Sequence, residues 1–258
     1  MFAKDMIATF WMDVLFCAAV LTMIARSRAG KRIPVINKVA GLEALDEALG
    51  RATEMGRPVH YSPGIGDLQN AQTLASFSTL TYVARKCAKF DTSIIVTNRT
   101  PSVYPITEEI VRQAYVQEGK LDKYVVDSVR FYSSEQFAYA SACVGMMNRE
   151  RPAANVLLGG FWAESLVIAE VGSQIGAIQI AGTANTHQIP FFVAACDYCL
   201  IGEEIYAAGA YLSKDPVLMG NLIAQDWAKM ALTVIILVGA LIATASPGAN
   251  WLATLLNK

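Results

Sequence analysis

The side chains able to do chemistry in this sequence gather where strand-like runs give way to turns. Ser62, Gly64, Gly66 and Asp67 follow RPVHY, Asn98 and Arg99 follow SIIVT, Glu164 follows NVLLGG, and Thr183, Asn185 and His187 follow AIQIAG. An open parallel sheet binds ligands beyond the carboxyl ends of its strands, so these residues define a candidate pocket. Turns of any α/β domain are polar, and the same residues also serve as turn formers. The GIGD turn has glycines through which backbone N–H groups can approach an anion at a helix N-terminus. It lacks the Lys-Ser/Thr pair of a phosphate loop and the third glycine of the dinucleotide fingerprint. Asp67 is placed to cap the helix and to repel a phosphate, which leaves Gly64 and Gly66 mainly as turn formers. No cofactor is expected.

His60 and His187 are the only histidines, which rules out a histidine-rich metal centre. His187, in the turn TANTHQIP, is the better placed general base, because His60 falls inside a strand. No G-x-S-x-G elbow supplies a serine nucleophile. Cys196 and Cys199 have the C-x-x-C spacing of half a zinc site or a redox couple. No second pair and no nearby histidine completes a tetrahedron, and the apolar flanks FFVAA and LIGEE favour core cysteines without metal. Glu164, one turn past the Gly159-Gly160 bend, is placed to cap, to pair with Arg99 or to line a pocket, and of these the pairing is expected.

The elements that must position these residues alternate short β-rich runs with longer helical patterns, the signature of a helix-covered parallel sheet. Strands are expected at residues 57–61, 92–97, 129–132, 155–158 and 177–181. Helices are expected at 68–90, 106–118, 135–149, 161–171, 203–212 and 216–227. Ser133 and Gln136 have capping-box spacing before the third of these helices. The apolar run 190–201 reads less clearly as a sixth strand. An amphipathic stretch over 37–55 places Val39, Leu42, Leu45 and Leu49 on one face, to cover the sheet or to meet a neighbouring subunit. The fold class is therefore α/β and Rossmann-like, a mostly parallel sheet with helices on both faces.

Composition adds a membrane. The 258 residues are 54% hydrophobic and only 17% charged, with a net charge of −1, and mean hydropathy is +0.36. That is too apolar for an ordinary soluble chain, and the neutral balance argues against a nucleic-acid partner. The surplus lies in residues 6–25 and 228–245, each close to the ~20 residues that cross a bilayer. Arg26, Arg28, Lys31 and Arg32 follow the first block, so the positive-inside rule puts the N-terminus outside and the main domain in the cytoplasm, at the inner membrane of the cell. The expected organisation is an external N-terminus (1–5), a first span (6–25), a basic and amphipathic segment (26–56), a cytoplasmic domain (57–227), a second span (228–245) and an external amphipathic tail (246–258). Asp13 falls within the first span, where an ionisable residue marks a functional candidate. It is expected to bond a hydroxyl such as that of Thr244 or to face another subunit.

The runs VHYSPGIGDLQNAQTLA (59–75), IIVTNRTPSVYPITEEIVRQAY (94–115), AIQIAGTANTHQIPFFVAACDYCLIGEE (177–204) and YLSKDPVL (211–218) resemble a family of prokaryotic membrane proteins described as a domain of unknown function, number 6754. The resemblance implies a membrane topology and one domain between the spans, and it assigns no reaction or catalytic residue. The leading expectation is a non-enzymatic, self-assembling scaffold held in the bilayer, a homo-oligomer or part of a larger membrane complex. The alternative is a small-molecule sensor or enzyme using the strand-end pocket.

Overall fold

The computed structural model describes residues 7–29, 40–213 and 215–245. The chain forms two compact units, an α/β unit over Asn37–Ser213 and a helical unit built from the two ends of the chain.

Within the α/β unit the order is α2 (Ala40–Met55), β1 (Val59–Gly64), α3 (Ala71–Phe90), β2 (Ile94–Asn98), α4 (Tyr104–Gln117), β3 (Val129–Phe131), α5 (Gln136–Glu150), β4 (Ala154–Gly160), α6 (Glu164–Gln174), β5 (Ile178–Thr183), α7 (Ile189–Ala195), β6 (Tyr198–Ile201) and α8 (Glu204–Ser213). The strands pair in the order β3-β2-β1-β4-β5-β6, every pair parallel. This is the doubly wound order, in which the chain direction reverses between β1 and β4. Side chains alternate between two apolar layers. Val59, Val96, Val156, Leu158 and Ile180 pack under α2, α3, α4 and α8, whereas Ile95, Leu157 and Ala181 pack under α5, α6 and α7. With both faces covered, the strands read as nearly continuous apolar runs.

Local chemistry sets the ends of the helices. Asn70 caps α3 by accepting the Gln72 N–H, and Asp91 ends that helix in the left-handed conformation at φ 58°. The expected cap at Asp67 is thus displaced by three residues, and Asp67 Oδ1 instead accepts the Gln69 N–H. Helix α5 is capped by the Glu135 carboxylate, which accepts the Ala138 N–H at 2.7 Å, rather than by a Ser133 and Gln136 box. Ser133 Oγ accepts the Glu135 N–H one step earlier. The run 190–201 divides into a helix and a strand. Pro190 suits the first turn of α7, and Asp197 breaks the run by accepting the Gln179 N–H at 2.7 Å. Leu42, Leu45 and Leu49 of α2 are buried in the sheet core, so that amphipathic face is consumed within the unit. Val39 lies outside the described residues.

The helical unit consists of α1 (Ile7–Arg28) and α9 (Pro216–Ala245), which pack against each other. Both are long and apolar enough to span a membrane. Their large side chains, among them Trp11, Leu15, Leu21, Ile236, Leu237 and Leu241, are exposed. Helix α9 continues without interruption from Pro216. At ~1.5 Å per residue it is roughly 45 Å long, more than a hydrocarbon core requires. A Cβ on Gly220 would lie 2.8 Å from Ile24 Cα, so glycine is what lets these two helices approach there. Asp13 is exposed and makes no hydrogen bond among the described residues. The Thr244 hydroxyl donates to the Ala240 carbonyl of its own helix. Lys31, Arg32, the N-terminal residues 1–5 and the tail 246–258 lie outside the described residues.

Candidate functional site

The carboxyl ends of β1, β2, β4 and β5 bring the expected residues to one end of the sheet but divide them into two groups. At the reversal between β1 and β4, protein backbone fills the crevice that a dinucleotide occupies in other sheets of this order. The Ile65 N–H donates to Gly160 O at 2.8 Å. A Cβ on Gly159 would overlap Pro63 O, and one on Gly64, at φ 83°, would come within 2.9 Å of Gly160 N. The glycines of GIGD and GG let two chain segments touch, and the Asn70 side chain sits over Gly66 and Gly160.

On the β4 and β5 side the polar groups satisfy one another. Gln72 reaches across from α3, donating to Asn185 Oδ1 at 2.9 Å and accepting from the Thr183 hydroxyl and the Ala184 N–H. Asn185 Nδ2 donates to Phe161 O at 2.7 Å. Glu164 does not pair with Arg99. It is fully buried, accepts the Trp162 N–H at 2.9 Å and bonds Gln136 Nε2 at 2.5 Å. The pairing fails because Glu164 opens α6 under the α5 side, whereas Arg99 turns back to donate to Ile65 O at 3.2 Å. His187 is exposed on the loop before α7. Ser62 is fully buried beneath α5, at hydrogen-bond distance from the Tyr139 hydroxyl.

The β1 and β2 side is less complete. Thr100 donates to the carbonyls of Ile65 and Gly66. The Thr73 hydroxyl, Asn98 Nδ2 and Arg99 Nε are buried without partners among the described residues.

The most extensive polar feature lies in the middle of the sheet. Gln179 on β5, Asn155 on β4 and His60 on β1 stand side by side in register, and all three are buried. Gln179 Nε2 must donate, because it faces the carbonyls of Ala169 and Ala195 at 2.7 Å each. Its oxygen therefore accepts from Asn155 Nδ2 at 2.7 Å. Asn155 Oδ1 then faces His60 Nδ1 at 2.7 Å and requires the proton there. His60 Nε2 is left to accept from the Thr97 hydroxyl at 2.9 Å. Thr97 Oγ1 accepts from the Tyr139 hydroxyl, which accepts from Ser62, which accepts the Gly64 N–H. Two carbonyls thus fix the protons from Gln179 to Thr97. Gly172 of α6 leaves room for it, since a Cβ there would overlap the Gln179 amide.

Burial keeps this row neutral. It lowers the His60 pKa to about 4, opposed in part by the Asn155 hydrogen bond. It also pushes the Cys143 thiol up to about 11 and Tyr139 well above its ordinary range. Thr97, His60 and Asn155 have the connectivity of a hydroxyl, imidazole and amide triad. All three are fully buried, so no substrate meets the hydroxyl, and the row is a structural brace. Cys196 and Cys199 flank Asp197 as partly buried free thiols whose pKa values burial raises.

Sequence reasoning missed Gln72, Asn155 and Gln179, and gave Gln136 only a capping role. A signal for two of them was present. The triplets VHY, ANV and IQI place a polar side chain at the same central position in three strands that pair in register.

Two cavities lie away from the carboxyl ends of the strands. A cleft of about 360 Å³ beside α3 is lined by Tyr82, Arg85, Lys86, Lys89 and Glu118 among others, and its charges are largely paired as Arg85–Glu118 and Lys86–Asp46. One of about 230 Å³ lies at the amino end of β5, beside Arg51, Gln179 and Asp197.

These features define a class: an α/β unit with a six-stranded, all-parallel, doubly wound sheet, in a chain that also carries a pair of long apolar helices. The chain belongs to the family described as Domain of unknown function (DUF6754), which it matches over residues 1–254. No curated protein and no solved structure matches it.

Proposed function

We propose that the protein is a membrane-anchored scaffold that assembles with copies of itself. The apolar outer surfaces of α1 and α9 support anchoring in a bilayer. The basic residues Arg26, Arg28, Lys31 and Arg32 favour a cytoplasmic α/β unit and external chain ends. Reporter fusions at each terminus and at Ser133 test this topology, and a cytoplasmic terminal reporter refutes it.

The observation that carries assembly is an apolar surface on two neighbouring helices of the α/β unit. Trp162 before α6, Leu166 and Val167 on α6, and Phe191 and Val193 on α7 are all exposed. Single exposed apolar residues are ordinary, whereas a group of this size marks a contact surface. A second copy held in the same bilayer meets it at high local concentration. Native mass spectrometry of the full chain in mild detergent tests the proposal. The wild type is expected as an oligomer, and Val167→Asp with Phe191→Asp is expected to shift it to monomer. A wild type that is monomeric at every concentration overturns self-assembly, and co-purifying unrelated chains in its place assign the surface to a larger membrane complex.

A second reading, a sensor or enzyme for a small molecule at the strand ends, is supported by Arg99, which meets no carboxylate among the described residues.

A further inference from the structure

The N-terminus of α3 and the end of β2, joined through the Ile65-Gly66 segment, carry polar groups whose hydrogen-bonding capacity is unused among the described residues. The first N–H groups of a helix lack intrahelical partners and carry the positive end of its dipole. In α3 the Asn70 side chain takes one of them, that of Gln72. The Thr73 hydroxyl, in the same first turn, lies against Gly66, where any Cβ would overlap it. Thr73 and Asn98 are both 0% exposed, yet Thr73 Oγ1 and Asn98 Nδ2 have no partner among the described residues.

Reversing the Asn98 amide does not resolve this. Thr107 Oγ1 lies within reach of both Tyr104 O and Asn98 Oδ1 with one proton to give, so it can also accept from a reversed Asn98 amide. Either orientation leaves one end of the amide unpartnered among the described residues, and the one with Nδ2 free offers an anion a donor. Arg99 uses Nη1 on Ile65 O and leaves Nε buried without a partner among the described residues. A guanidinium with one N–H buried and unpaired favours an oxyanion that accepts from two of its N–H groups together. The nearby carbonyls of Ile65 and Gly66 are already occupied by Thr100 and Arg99. The Asp67 carboxylate is exposed, with one oxygen engaged by the Gln69 N–H.

We propose that Arg99, Thr73, Asn98 and the first turn of α3 form a binding subsite for a phosphate or carboxylate group of a small ligand. The ligand approaches from the β1 and β2 side, because backbone closes the crevice between β1 and β4. The inference rests on the ligand-binding reading and is independent of self-assembly. A protein that assembles without responding to anions sinks it and leaves the scaffold intact.

The test uses the full chain in mild detergent, titrated with inorganic phosphate and, separately, with acetate, against chloride at equal ionic strength. One of the two anions is expected to raise the Tm saturably, with half-saturation on the order of millimolar, and phosphate binding is checked by ³¹P line broadening. Arg99→Gln is expected to weaken the response about tenfold or more. Thr73→Val is the sharper variant, because the hydroxyl has no protein partner to lose. It is expected to keep or raise the Tm without anion while weakening the anion response several-fold. Should Arg99→Gln fail to fold, Thr73→Val decides. The absence of any response beyond chloride overturns the proposal, as does a Thr73→Val response equal to the wild type.

Discussion

Acidification is expected to withdraw a defined share of stability through one residue, His60. The folded state holds its imidazole neutral down to about pH 4, whereas the unfolded chain restores the ordinary value of 6.5. Between those values the unfolded chain binds about one proton more than the folded one, so stability falls as pH falls. The loss begins near pH 6.5 and is complete near pH 4. Each unit of pKa difference is worth about 1.4 kcal/mol, so the loss is on the order of 2–3 kcal/mol at pH 4.5 and on the order of 3 kcal/mol in total. For a domain of this size, a loss on the order of 2–3 kcal/mol lowers the Tm by roughly 5–10 °C. Asp91, held below the ordinary carboxylate range by Lys120 and Lys123, and Glu109, held there by Arg112, give up their contributions only below about pH 4.5. The window from pH 6.5 to 4.5 therefore reports mainly on His60. The assay is a thermal melt across this window for the wild type and for His60→Gln, which cannot take up the proton. The wild type is expected to lose more Tm on acidification than the variant by the amount given. Parallel acid profiles for the two proteins would refute the assignment of a neutral, buried His60.

Two structural predictions concern glycines. Gly159→Ala drives a methyl group into Pro63 O, and Gly64→Ala adds a left-handed φ of 83° to a clash with Gly160. Each is expected to cost on the order of 3 kcal/mol in denaturant unfolding, and a cost below about 1 kcal/mol would show that the crevice opens easily. Gly220→Leu forces α9 away from the Ile24 backbone. It is expected to lower the detergent-phase Tm and to expose the helical unit to limited proteolysis, while the His60-linked pH profile stays unchanged.

The alternation of strands and helices was legible in the sequence because both layers of the sheet are apolar and each connection carries a helical period. The amphipathic pattern of α2 was equally clear, but only the sheet contacts of Leu42, Leu45 and Leu49 decide between core and subunit contact. The boundary between α7 and β6 was not legible, since FFVAA and YCLI are both apolar and a single Asp197 side chain, bonded to another strand, separates them. At the strand ends the residue types were readable and their partners were not. Glu164 and Arg99 are complementary in sequence, yet helix geometry sends them to Gln136 and Ile65. Gln72 lies within a helix and shows its role only when the fold brings Thr183 and Asn185 to it.

The row from Gln179 to Ser62 also bears on how the chain finds its fold. Apolar strands in a parallel sheet are nearly interchangeable, and a slip by one residue would still bury valine against leucine. With His60, Asn155 and Gln179 in place, the same slip would turn a polar side chain to the opposite face, among the apolar residues beneath α2 and α3, with nothing to bond. The buried polar row works as a key that only one alignment of β1, β4 and β5 can turn.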